Sequence, residues 1–127
     1  MRFLCLSDIH AYADALRAAL TLGHEYTCNR VLVAGDLCFP GPDPLATWKL
    51  LTTAQAVCTQ GLVDRALATI NVESLQGTNA FEYERINRLR TTRRALGELI
   101  MARLSRLPVT TRMPLANGGE QIGRAHV

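Results

Sequence analysis

The 127-residue chain has no Cys-x-x-Cys pair, no strong excess of either charge, no aromatic residue within its densest run of arginines, and no apolar stretch near the ~20 residues that span a bilayer. Each absence removes a class. Cys5, Cys28, Cys38 and Cys58 are scattered through apolar or mixed segments, which argues against a zinc ribbon or a thioredoxin-type motif and predicts buried, reduced thiols. The amino terminus opens on a strand-like run without a charged-then-apolar signal and cleavage site, so a cytoplasmic, membrane-free protein is expected. A formal charge of +3, with arginine supplying 13 of 14 basic residues, points to no particular partner. Arg85, Arg88, Arg90, Arg93 and Arg94 alternate with Glu82, Glu84 and Glu98 nearby and read as a solvated helix face. An anionic-partner surface is the alternative, but without interleaved aromatics nothing would stack a nucleic-acid base.

What is present is an apolar fraction of 48%, enough for one globular domain with its own core. Residues 2–6 and 30–34 are short apolar runs that read as buried strands, and Asp14 to Leu22 between them carries a helical stripe ending at Gly23. That strand–helix–strand order predicts a right-handed parallel crossover within an α/β fold. Gly41-Pro42-Asp43-Pro44 is turn chemistry before a helix over 45–53, with Asp43 placed to cap it and Pro44 at its first position. A third strand over 56–59, a loop over 60–64, a short helix over 65–70 and a loop over 71–79 follow. Ile86, Leu89, Leu96, Ile100, Leu104 and Leu107 then recur at helical spacing, as one helix or two joined near Gly97, before Pro108, a strand over 109–115 and an Asn117-Gly118-Gly119 turn.

The last seven residues stand apart. Ile122-Gly123-Arg124-Ala125-His126-Val127 matches the translation ATC GGA AGA GCA CAC GTC of a widely used short-read sequencing adapter, whose next triplet is a stop, and Gln121 fits the junction. Residues 121–127 are therefore expected to be adapter-derived, with 1–120 the native segment. The competing reading makes them a natural final strand with His126 as a ligand.

The chemistry concentrates at two strand ends. Ser7-Asp8-Ile9-His10 closes the first apolar run and Gly35-Asp36-Leu37 closes the second. In extended backbone, residues two apart project to one side, so Asp8 and His10 are expected to face a common point, with Asp36 arriving from the adjacent strand. Two carboxylates and an imidazole are donors suited to manganese, iron or zinc. Taken singly, these residues read as a helix cap, an ordinary imidazole and a turn residue; taken together, as a metal site.

In order and spacing from Met1 to about Glu120, Asp8-x-His10, Gly35-Asp36 and Gly41-Pro42-Asp43-Pro44 make the chain resemble the calcineurin-like metallophosphoesterase family, especially its small bacterial phosphodiesterase-like members. The resemblance implies a sandwich of two β-sheets flanked by helices, here its amino-terminal part, with two divalent ions at the strand ends and Asp36 bridging them. It also implies hydrolysis of a phosphomonoester or phosphodiester on a small phosphorylated substrate such as a nucleotide.

The family's third motif, Gly-Asn-His-Asp or Gly-Asn-His-Glu, is matched here by Gly61-Leu62-Val63-Asp64. Leu62 cannot ligate and Val63 cannot move a proton, so the second metal site is in question. Asp64 is expected to brace the loop instead of replacing a ligand. Cys38 and Cys58 are expected to pack, and His24 to be a solvated residue near a helix end. Three readings remain open: a phosphoesterase, a degenerate member acting as a metal- or phosphoryl-binding regulatory module, and a basic interaction domain.

Overall fold

The computed structural model describes residues 1–115 and 119–124. Strand β1 (Phe3–Leu6), helix α1 (Ala13–Glu25), strand β2 (Arg30–Ala34), helix α2 (Pro44–Thr53) and strand β3 (Val57–Thr59) form two successive crossovers. Their strands lie parallel in the order β1-β2-β3, with Leu4 opposite Val31, Leu6 opposite Val33, and Val33 opposite Cys58. The α/β class is as expected. Parallel alignment brings the segments after all three strands to one edge of the sheet.

Helix α3 (Leu62–Thr69), a 3-10 turn (Val72–Ser74) and helix α4 (Ala80–Ser105) complete the helical side. Strands β4 (Thr110–Pro114) and β5 (Glu120–Arg124) form a separate antiparallel pair. The Asn117-Gly118 turn residues and His126 lie outside the described residues. Leu16, Val33, Leu37, Leu51, Leu67, Leu89, Leu96 and Leu104 form the buried core, so the helices cover the sheet face that carries Leu6, Val31 and Val33. Phe3, Cys5, Leu32 and Val57 alternate onto the opposite face and keep partial or full exposure. Among the described residues no helix is long and apolar enough to cross a membrane.

Several boundaries differ from the sequence reading for identifiable reasons. Gly23 does not end α1 but lies buried inside it, because a Cβ there would stand 2.7 Å from Leu4 Cδ2. The glycine lets the Leu4 side chain of β1 pack closely against α1. Asp43 occupies the position before α2 but makes no side-chain cap; its amide instead donates to Ala11 O at 3.0 Å. The segment expected as a loop over 60–64 is already helical from Leu62, since the Asp64 carboxylate accepts the Gly61 amide at 2.8 Å and winds the first turn. Gly97 interrupts α4 with φ 80° and ψ 168°, a backbone that favours glycine, so the long periodic stretch is two helices joined across a kink. Cys5 is exposed, contrary to the expectation of four buried thiols, because its strand position faces away from the helices; all four cysteines are free.

The arginine-rich part of α4 is more than a solvated face. Arg88 donates to Pro40 O at 3.1 Å and Arg93 donates to Ile70 O, tying the helix to the loops after β2 and α3. Arg88 also lies 3.6 Å from Glu84, the expected kind of intrahelical ion pair.

Candidate metal centre

Asp8, His10 and Asp36 converge at the carboxyl edge of the sheet, and each offers one ligand atom within 4.8 Å of the others. The route to this geometry is not the extended backbone that the spacing suggested. β1 ends at Leu6, and the two residues turn inward through left-handed conformations, Asp8 at φ 55° and His10 at φ 53°. Asp36 also has positive φ, 58°. A non-glycine residue in this region costs of order 1–3 kcal/mol, and such strain persists only where surrounding bonds over-determine it.

Those bonds are present. His10 N donates to Asp36 O at 2.9 Å and Ala11 N to Leu37 O at 2.8 Å, joining the segment after β1 to the segment after β2. Gly41 N donates to His10 O at 2.7 Å, and a side chain at Gly41 would collide with that same carbonyl. The turn at Gly41 therefore clamps His10 from the other side.

The imidazole is oriented for ligation. His10 Nδ1 lies 2.7 Å from Phe39 O, and a carbonyl can only accept, so Nδ1 carries the proton. In the neutral imidazole Nε2 then keeps its lone pair, and it faces Asp8 Oδ1 at 3.5 Å. A ligating histidine is commonly held this way by a backbone carbonyl behind it. The Asp8 side chain is 64% exposed and that of His10 29%, so an ion can reach both. Asp8 is held below the ordinary carboxylate value, chiefly by the Ser7 hydroxyl that donates to it at 2.9 Å. Two carboxylates and one correctly tautomeric imidazole, with solvent access, fit a divalent cation of the manganese, iron or zinc type.

Asp36 and its neighbours are braced by a buried carboxylate. Asp64, fully buried, accepts from Asp36 N at 2.9 Å, Leu37 N at 2.8 Å and Gly61 N at 2.8 Å. Burial pushes its pKa up, the three amides pull against that, and the Asp36 charge adds to the rise. Asp64 is thus a positioning group, as expected, and has no oxygen directed to the triad. Gly61 belongs to the same device, since any Cβ would run into the Asp36 carboxylate and amide. The signal for both was legible as a residue pattern: a small residue followed three positions later by an acid at a helix start.

One Asp36 oxygen, Oδ1, accepts the Val63 amide at 3.2 Å from the first turn of α3. Bridging two ions with both oxygens is therefore in competition with this bond. Leu62 is 58% exposed and Val63 half-buried, and neither supplies a ligand. Cys38 and Cys58 pack in the core as expected; burial pushes the Cys58 thiol up to about 12 and Cys38 higher still, with the Asp64 charge adding to both. His24 is exposed in the last turn of α1 and stays outside the cluster.

No family model matches the chain, and no curated protein does. Solved structures do. A metallophosphoesterase from Sphaerobacter thermophilus is 26% identical with a TM-score of 0.62, over 89% of this chain and 43% of that one. The fold is similar to that of a metallophosphoesterase. A hypothetical protein from Pyrococcus horikoshii OT3 superposes with a TM-score of 0.73 at 18% identity, over 93% of this chain and 52% of that one, and shows the fold alone. The chain thus spans about half the length of these structures, or less.

Proposed function

We propose that this chain is the amino-terminal part of a metal-dependent phosphoesterase that hydrolyses a phosphomonoester or phosphodiester, with Asp8, His10 and Asp36 holding a divalent ion. The observation that carries this reading is the convergence of the three ligand atoms with His10 Nε2 left free by the Nδ1 contact to Phe39 O. The similarity in fold to a metallophosphoesterase supports it. A bound divalent ion would polarise a phosphoryl oxygen and lower the pKa of an attacking water. The chain's own residues orient the imidazole, present two carboxylates at a solvent-accessible edge, and hold Asp36 through Asp64 and Val63. A small phosphorylated substrate, a nucleotide among them, matches such a site.

A second reading, a metal- or phosphoryl-binding module with little turnover, is favoured by Leu62 and Val63 and by the Val63 amide on Asp36 Oδ1. The 127-residue chain itself is expected to turn over little, so manganese-dependent hydrolysis of an aryl phosphodiester by the full-length protein separates the two. The enzyme reading expects turnover that falls at least about 100-fold in Asp36→Asn. Turnover that is absent in the wild type and rises in a Leu62→Asn, Val63→His double variant favours the module. Robust turnover unchanged in Asp36→Asn refutes the site.

The architecture proposed with this function is the two-sheet sandwich, supported by the apolar face at Phe3, Leu32 and Val57 that the helices leave open. Residues 121–127 are proposed to be adapter-derived; independent long-read sequence of the source locus should diverge after about Glu120. The same codons and stop in that sequence would refute this.

A further inference from the structure

The loop after β2 grips His10 twice, through the Phe39 carbonyl at Nδ1 and the Gly41 amide at the His10 carbonyl, both at 2.7 Å. Phe39 is seated by its side chain, which packs against the core. Pro40, between the two contacts, is exposed and has no amide to donate. Among the described residues one side chain bonds this stretch from outside: Arg88 Nη1 of α4 donates to Pro40 O at 3.1 Å.

The Pro40 carbonyl and the Gly41 amide belong to the same planar peptide unit. Arg88 therefore holds one end of a peptide whose other end holds His10. A guanidinium on the carbonyl side makes a charge-assisted bond, and polarising the peptide strengthens donation by its amide. Rotating this unit would break both bonds and shift Phe39 O, one peptide earlier, away from the imidazole. Arg88 is itself well placed to resist that. Its neighbours Leu89 and Thr92 are buried, which seats this part of α4, and Glu84 Oε1 lies 3.6 Å from Nη2. Elsewhere a groove of about 330 Å³, lined by Gly41, Pro42, Asn87 and Thr91 among others, parts the turn from α4.

We propose that Arg88 is a positioning residue for the metal centre: it fixes the course of residues 39–41, and through them the tautomer and orientation of His10. The inference rests on the reading of His10 as a metal ligand.

Two readouts test it in Arg88→Met, Arg88→Lys and Glu84→Gln. The first is ring-nitrogen NMR of metal-free protein near pH 8, where an ordinary imidazole is neutral, with exposed His24 as the internal reference. Wild-type His10 should carry its proton on Nδ1; in Arg88→Met it should move toward the tautomer mixture of His24, and Arg88→Lys should restore most of the wild-type pattern. The second is manganese affinity, read by water-proton relaxation. Arg88→Met should bind about tenfold more weakly, the lower end of what loss of an outer-shell partner costs. Removing a positive charge would by itself favour a divalent cation, so this loss has the opposite sign to the Coulomb effect. Glu84→Gln should stay within about twofold of wild type, since it removes an exposed ion pair and keeps the bond to Pro40. An unchanged His10 tautomer in Arg88→Met overturns the proposal, whatever the affinity does. So does a Glu84→Gln variant that matches Arg88→Met in both readouts, which would reduce Arg88 to a support of its own helix. Manganese binding that ignores Asp36→Ala overturns the metal-site reading instead, and the metal-free tautomer measurement is independent of it.

Discussion

Removing the Asp64 carboxylate tests the structural logic of the centre most directly. In Asp64→Ala three amides, those of Asp36, Leu37 and Gly61, lose their acceptor in a fully buried setting. A buried donor left unsatisfied costs about 1–3 kcal/mol, so the three together amount to roughly 3–9 kcal/mol. Relief from burying a carboxylate, the effect that raises its pKa, offsets part of that. A net loss of about 3 kcal/mol is expected, against the ~5–15 kcal/mol of a typical domain. Asp64→Asn keeps one acceptor oxygen but turns an NH2 toward the donors, and should fall between wild type and alanine. Urea unfolding followed by Trp48 fluorescence measures both, because Trp48 is half-buried against the core. The pH dependence carries a sign as well. A carboxyl with a raised folded pKa favours folding most below its unfolded value, and that contribution declines as pH rises through the folded value. Wild-type stability should therefore drop over that interval relative to Asp64→Asn. Unfolding free energies for Asp64→Ala and wild type that agree within about 0.5 kcal/mol would refute the bracing role.

Metal uptake by the chain should be weak and should vanish in an Asp8→Ala, Asp36→Ala double variant; equal calorimetric affinity in both would remove these residues from the site. Alkylation of the folded chain near pH 8 should label Cys5 first and spare Cys38 and Cys58, whose thiols burial pushes far above their ordinary value, and peptide mass mapping reads the order. Ser7→Ala should raise the Asp8 carboxyl titration toward the ordinary aspartate value, read by carboxyl-carbon NMR, because the Ser7 hydroxyl is the main cause of its depression.

The apolar runs at residues 2–6 and 30–34, the helical spacing after Phe81 and the turn at Gly41 are local patterns, and they were enough for the α/β class, the parallel crossover and the sheet edge that carries Asp8, His10 and Asp36. The resemblance to the family's third motif, together with residue chemistry, also marked Leu62 and Val63 as non-ligands and Asp64 as a brace. Tertiary structure decided how those groups are held. The His10 tautomer is set by a carbonyl 29 residues away, at Phe39, and Asp64 caps amides 27 and 28 residues away, at Leu37 and Asp36. Gly23 was read as a stop, but Leu4 packing on it makes it part of α1. The left-handed turns at Asp8, His10 and Asp36 were likewise hidden, because aspartate and histidine enter that backbone more readily than most residues but still uncommonly, and only the surrounding bonds select it here. Periodicity reports which face of an element is apolar; it carries no information about which distant backbone group will meet that face, and contacts across 20 residues or more exist only once the chain has packed.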